Sequence, residues 1–386
     1  MFRGGRLAFG NRSSTTAKRQ RMQAITPQLT GELANHIGKR TVSQAKPFGV
    51  GNYRELVEHV ARLAYVNRNH LLFFRGQNKD YRNKAGASTL YPAIYRGDQV
   101  PQVELEVRFK DLEAACRTLR TLFTERRIEG HKDVSRKRYI QWSILQHYEV
   151  VATPLLDVTH SLRAACSFAQ RASTDPTCHV YVLGLPYTTN RISIHSEEDV
   201  VNIRLLSICP PSALRPYFQE GYMVGTPDVT TNFDTKTELD VRNRLIAKFA
   251  IPRAKYFWNS GFEAMPESAL FPSGDSVDEL CREIKTRTRD VESSSSSGQF
   301  LVEWAQLEEK LVPQARQLTE RNVSVGEAID ALVRHKRISG DLAAALHEIR
   351  RVRNAVAHTA RKVEGYEIDQ ALKRLQELQR RIPESH

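Results

Sequence analysis

Five consecutive serines, Ser293 to Ser297, followed by Gly298, constrain the architecture more than any other stretch of this chain. Such a run has nothing apolar to bury and a backbone that is costly to order, so residues 291–298 read as a linker. The 386 residues then divide into a large unit before the run and a small one, residues 299–386, after it. Two units fit the usual ~100–200 residues per domain. Residues 1–46 stand apart by charge, with nine Lys and Arg against one acid, Glu32. That segment carries +8 of the net +13, leaving +3 for residues 47–298 and +2 for residues 299–386. It is expected to be a basic, flexible arm, either solvated or laid on nucleic acid or another acidic surface. It is acid-poor and contains Ser and Thr, as transit peptides do, and it lacks the apolar segment of a secretory signal.

No stretch approaches the ~18 consecutive apolar residues of a membrane span, so no membrane partner is expected. The five cysteines, Cys116, Cys166, Cys178, Cys209 and Cys281, are odd in number and include no Cys-x2-Cys pair. Neither a disulfide framework nor a metal site is expected. A reducing cytoplasm is the expected compartment.

Residues 47–290 read as α+β. Leu56, Val57, Val60, Leu63 and Ala64 recur at helical spacing, as do Leu105, Phe109, Leu112, Cys116, Leu119 and Phe123. Helices are also expected at 139–148 and 162–171. The short apolar runs at 71–74, 179–185 and 245–251 are expected strands, the last closed by Pro252. Polar residues gather after these strands. Arg75 can grip a phosphate or carboxylate with two nitrogens, or serve a structural ion pair. His147 and Tyr148 can bond or stack on a base, or Tyr148 can be core. Asp157 and Thr159 are expected in the turn before a helix, where Asp157 is either a cap or a site residue. Such groups converging on a cleft suggest a nucleotide-sized ligand.

The small unit shows four helical segments, near 299–319, 325–336, 340–358 and 366–381, with short connections that predict an antiparallel four-helix bundle. Ser339 can cap the third, whose stripe is Leu342, Leu346, Ile349 and Val356. Arg353 falls on that stripe, where an unpaired guanidinium is costly. His358 lies five residues on. The two share a groove only with help from the last turn or from a second chain, and they can instead tie the helix to its neighbours.

The stretch from His347 to His358, with Arg353-Asn354 and His358, resembles the third helix of the HEPN superfamily. The opening helix from Gln299 to Glu308 is similar too. The resemblance implies a dimer and metal-independent RNA cleavage. His358 would move a proton at the ribose 2′-hydroxyl or the leaving oxygen, Arg353 would hold the scissile phosphate, and Asn354 would orient the pair. In the large unit, Phe74-Arg75-Gly76-Gln77, Ser88 to Arg96, and Gln146 to Ala169 resemble the FRG domain of bacteria and phages. Arg215 to Gln219 with Gly221, and Ala269 to Pro272, agree with it. Glu149 departs from that family, which usually has Gly there. The order Arg75, then Asp157 to Ser161, then Ala165 to Phe168, a strand, and Gln219-Glu220 also resembles ADP-ribosyltransferases. This implies that Arg75, with Gly76 and Gln77, holds the NAD pyrophosphate, that Thr159 and Ser161 shape the nicotinamide pocket, and that Gln219 or Glu220 stabilises the oxocarbenium-like centre. No Glu-x-Glu is present.

The expected protein is a cytoplasmic effector of bacterial or phage conflict, a toxin or antiviral factor. Its fold is a mixed-sheet FRG domain, ADP-ribosyltransferase-like, plus a HEPN-like bundle that dimerises the chain. NAD or a related nucleotide is the expected cofactor, and ADP-ribose transfer to a macromolecule the expected activity. Two alternatives stay open. The tail is a ribonuclease and the FRG domain its sensor, with RNA or another nucleic acid as partner; or both units only bind ligands or partners.

Overall fold

The computed structural model describes residues 22–97, 102–171, 175–227, 229, 236–259, 261–294, 296–320, 323–358 and 365–382. The chain opens with α1 (Gly31–Ile37), β1 (Phe48–Gly49), α2 (Tyr53–Val66) and β2 (Leu71–Gln77). There follow α3 (Gln102–Glu125), α4 (His131–Arg136), α5 (Arg138–His147), β3 (Leu156–Thr159), α6 (Leu162–Arg171) and β4 (Thr177–Leu185). Next come β5 (Ile192–His195), β6 (Val200–Arg204), the short α7 (Leu205–Ile208) and α8 (Arg215–Gln219), and β7 (Gly221–Gly225). Then β8 (Leu245–Pro252), α9 (Glu267–Leu270) and α10 (Ser276–Ser294) complete the large unit. Each segment expected as helix or strand forms that element, with small shifts at the ends. The short strands β3, β5, β6 and β7 were not expected. Asp157 and Thr159 therefore lie on a strand, not in a turn; four residues are too few for alternation to declare itself.

All eight strands form one mixed sheet in the order β1-β8-β4-β2-β3-β7-β6-β5. Only β1 and β8 run parallel. The join between its halves decides where a ligand can go. β2 pairs with β4 along its whole length, from Leu71 opposite Leu185 to Gln77 opposite His179. β3 pairs just as fully with β7. Between β2 and β3 the register holds one pair, Phe74 opposite Thr159. Past that pair the strands diverge, and the sheet opens alongside Arg75, Gly76 and Gln77.

Helix α6 lies directly on β2. A Cβ on Gly76 would sit 1.9 Å from the Ala165 carbonyl oxygen and 2.8 Å from the Ala169 nitrogen. Both are backbone atoms that no rotamer change can move away, so this contact requires glycine. Ala165, Cys166 and Ala169 of α6 are fully buried with Phe74, Val180, Val182 and Phe249. On the other half of the sheet, α3, α5 and α10 share a core that includes Leu119, Phe123, Ile144, Leu145, Met223, Val277 and Ile284.

Two expectations about the chain's edges change. Residues 1–21 lie outside the described residues, but 22–46 do not form a free arm. Met22 and Leu33 are buried, Gln23 N donates to Glu198 O, and Ile25 N donates to Asn243 O. Asn67 donates to Gln28 O and accepts from Gln28 N. The segment's apolar residues outweigh its surface charge, which stays solvated on other faces. The serine run is helical on both sides of Ser295, as the ends of α10 and of α11 (Ser296–Thr319). Serine's low helix propensity is a weak prior that adjoining helices override.

The tail is a four-helix bundle of α11, α12 (Val325–Arg334), α13 (Gly340–His358) and α14 (Gly365–Gln379). Trp304, Leu311, Ile329, Leu332, Leu346, Ile349, Leu375 and Leu378 form its core. Ser324 and Glu327 make a capping box on α12, and Ser339 accepts from Leu342 N at the start of α13, as expected. The substitution Gly76→Ala is expected to cost at least about 2–3 kcal/mol in urea unfolding, since backbone on both sides must separate; a loss below ~1 kcal/mol would show that α6 can simply slide.

Candidate functional site

The opening between β2 and β3 is a cavity of about 370 Å³. From the sequence-derived site residues it gathers Arg75, Gly76, Gln77, His147, Asp157, Thr159 and Gln219. It adds Arg96, Gln146, Glu149, Arg171, Arg215 and Phe271, among others. Of these, Arg96, Gln146, Glu149, Arg215 and Phe271 stand inside the very segments that carried the family resemblance. Arg171 had no such signal, because it reaches the cavity through the packing of α6 against Phe271.

Arg75 is the side chain that spans the opening. Its Nη1 donates to the Asp157 carbonyl at 2.5 Å, supplying a donor to backbone that the divergence of β2 leaves unpaired. Burial pushes its guanidinium down to about 10, aided by Arg96 and opposed by Asp157 and Tyr181. It stays charged at neutral pH. Burial works to raise the Asp157 carboxyl, but His147, Arg75 and Gln146 outweigh it and hold it below its ordinary range. Gln146 Nε2 donates to Asp157 Oδ2 at 2.8 Å, and its own Oε1 is fixed by Thr153. His147 Nδ1 approaches Asp157 Oδ1 only to 3.6 Å, too long for a hydrogen bond.

Tyr148 does not line the cavity; the core reading was the right one. Its hydroxyl donates to Asp275 at 2.8 Å, and the Arg215 guanidinium sits 5.1 Å from its ring centre and 4.7 Å from that of Phe271. Asp275 also accepts from the backbone of Leu214, Arg215, Val277 and Asp278. This buried carboxylate thereby ties the start of α8 to the start of α10 and aims Arg215 at the cavity. Arg171 lies 4.4 Å from the centre of the Phe271 ring.

Glu149 occupies the left-handed region at φ 54°. It follows α5 in a Schellman arrangement, with Glu149 N donating to Gln146 O and Val150 N to Leu145 O. The departure from glycine has thus kept the turn, at a cost in strain, and has placed a carboxylate 3.8 Å from Arg215.

The remaining site candidates fall in structural positions. Thr159 Oγ1 donates to Gln219 O at 2.6 Å and accepts from Ser161 N. Ser161 is absent from the cavity wall and caps α6 through Ala164 N. Gln219 reaches the wall, but its amide donates to Leu270 O at 2.7 Å. Glu220 is exposed, left-handed, and closes α8 outside the cavity. Arg353 and Asn354 lie on α13 in the bundle, bonded to each other at 3.3 Å. His358 ends that helix, and its side chain lies outside the described residues.

Four arginines face two carboxylates in this cavity, so its field favours an anion. Four buried atoms of its lining have no hydrogen-bond partner among the described residues: Arg75 Nε, Gln77 Oε1, His147 Nε2 and Arg215 Nε. Buried polar atoms are nearly always satisfied by protein, water or ligand, so these four residues bring unused bonding capacity to the cavity wall. Among the described residues no group of His, Cys, Asp and Glu could hold a metal ion, and no helix is long and apolar enough to cross a membrane.

Two outcomes are expected. Because the folded Asp157 carboxyl lies below its unfolded value, its charge stabilises the fold above that value. This contribution is lost as pH falls through the folded value. Asp157→Asn should therefore be destabilised at pH ~7 and converge on wild type in urea titrations well below the ordinary carboxylate value of ~3.9; a gap independent of pH would remove the charge from the account. Glu149→Gly should raise stability by about 0.5–1 kcal/mol, the ~1–2 kcal/mol of left-handed strain less the entropy cost of glycine. Thermal unfolding reads this directly.

No curated protein and no solved structure matches the chain. Residues 70–177, the stretch from just before β2 to the start of β4 that supplies Arg75, Gly76, His147, Asp157 and Thr159, match the family model of the FRG domain.

Proposed function

We propose that the opening between β2 and β3 binds a phosphate-bearing nucleotide, NAD or a close relative. The carrying observation is the set of four unpartnered buried polar atoms in a cavity where arginine outnumbers carboxylate. Arg75 and Arg215 serve the phosphates, since a guanidinium presents planar donors to phosphate oxygens. The Phe271 ring, with Arg171 and Arg215 over it, holds both cations at the cavity wall. Gln77 Oε1 accepts from an amino or hydroxyl group, and His147 Nε2 bonds whichever neighbour its tautomer permits.

Transfer of ADP-ribose to a macromolecule is the activity this reading extends to. Breaking the ribose–nicotinamide bond leaves positive charge on the ribose, and a carboxylate nearby favours that state. Gln219 is engaged with Leu270 and Glu220 stands outside. Of the two carboxylates in the cavity, Glu149 is turned toward Arg215 and Asp157, held ionised beside Arg75, lies at the join of the strands and is the one we assign to this role. Such an enzyme would act as an effector in bacterial or phage conflict, the role implied by the FRG resemblance.

The tail supports a second reading, an RNA-cleaving or dimerising bundle. Positions 353 and 358 of helix α13 are five residues apart, a spacing that falls on different faces of a helix, about 140° apart. A groove using both then needs the same helix of a second chain, which makes dimerisation a condition of that chemistry.

Isothermal titration with NAD tests the main reading. Arg75→Gln keeps an amide that can donate to the Asp157 carbonyl but removes the charge. It is expected to weaken binding about 30-fold or more, ~2 kcal/mol or more for loss of a buried charged contact. His358→Ala should leave NAD binding unchanged. Equal affinity of wild type and Arg75→Gln would sink the proposal.

A further inference from the structure

Glu149 goes against two local preferences. A left-handed position just past a helix favours glycine, and the C-terminal end of a helix favours a cation over a carboxylate. Glu149 follows α5 at φ 54°, with its side chain 74% exposed. The contact it makes there is with Arg215, at 3.8 Å. A pair this long, with one partner in solvent, contributes little to stability. It does not offset the left-handed strain. A residue that breaks local rules with no gain to the fold points to the site it faces, and Glu149 lines the cleft.

Its partner is fixed. Arg215 is buried, stacked against the Tyr148 and Phe271 rings, and its Nη1 lies 3.4 Å from Asp278 Oδ1. Asp278 is in turn paired with Arg282 at 2.9 Å. The Glu149 carboxylate instead ends a solvated stem, on a turn that its Schellman bonds hold in place. An anion that comes to Arg215 therefore meets a like charge that can swing aside but stays tethered nearby. The penalty grows with the charge of the anion. A phosphate inside a pyrophosphate linkage carries one negative charge, whereas a terminal phosphate carries about 1.5–2 at neutral pH.

We propose that Glu149 determines which phosphates the cleft accepts. It admits a bridging, singly charged phosphate at Arg215, as in a dinucleotide, and disfavours a terminal one, as in a nucleoside diphosphate. This rests on the nucleotide reading of the cleft and sharpens it, for it names the charge that the ligand's phosphates carry.

Isothermal titration of the full chain with NAD, ADP and inorganic pyrophosphate tests it, in wild type, Glu149→Gln and Glu149→Gly. Both variants alter an exposed side chain, and glutamine keeps the shape and the backbone strain while removing the charge. Each is expected to tighten ADP more than NAD, so that the preference for NAD over ADP narrows about two- to fivefold, the effect of up to one extra unit charge at ~4 Å in water. The narrowing should shrink in ~1 M salt, where charges are screened beyond ~3 Å. An unchanged preference in Glu149→Gln overturns the proposal. So does a change confined to Glu149→Gly, which would trace the effect to the backbone, or one indifferent to salt. Pyrophosphate separates this proposal from the reading of the cleft. If neither nucleotide binds but pyrophosphate does, and more tightly in Glu149→Gln, selection by charge at Arg215 stands and the nucleotide reading falls. Binding of none of the three, in any variant, overturns both.

Discussion

The hydrogen bond from Arg75 to the Asp157 carbonyl crosses the one place where the sheet comes apart. Strands β2 and β3 meet only at Phe74 and Thr159, so the backbone beyond that pair lacks its ladder. In a buried setting, unpaired backbone is costly. A charged side chain from one strand bonded to the other restores a link without closing the gap. The cavity exists because the link is a side chain and not a ladder. The same arrangement leaves Arg75 Nε buried without a hydrogen-bond partner among the described residues.

Other parts of the large unit serve this opening from behind. Gly76 lets the α6 backbone lie against β2, which brings Phe168 and Arg171 to the wall. Thr159 pins the end of α8 by its hydroxyl. Asp275 gathers a tyrosine hydroxyl and the starts of two helices, and so fixes Arg215, which stacks between two rings. The residues that touch the cavity are thus held by one another and by Tyr148 and Asp275, which do not touch it. Substitutions at Tyr148 or Asp275 act on the cleft through Arg215.

Much of the large unit was legible before any coordinates. Long helices such as α3 repeat their apolar stripe for several turns, and β4 and β8 are apolar runs long enough to stand out. The strands β3, β5, β6 and β7 were not legible, because four or five residues are too few for a period of two to declare itself. Glu149 shows a different limit. Its type gave no hint that it would adopt the backbone of the glycine usual there, and the strain is held by the Schellman bonds around it.

The sequence by itself determined the longer helices and strands, the helices of the C-terminal bundle, and the grouping of Arg75, His147 and Asp157 within recognisable segments. These follow from local periodicity and from residue types whose chemistry is fixed. Only the tertiary structure decided which of them face one another. It turned Tyr148, Thr159 and Ser161 into supports, removed Glu220 from the site, tied up Gln219, and brought in Arg171, Arg215 and Phe271 from distant segments. The physical reason is that a cleft is made where strand pairing fails, and pairing between strands ~80 residues apart is a property of the packed sheet, not of any local stretch.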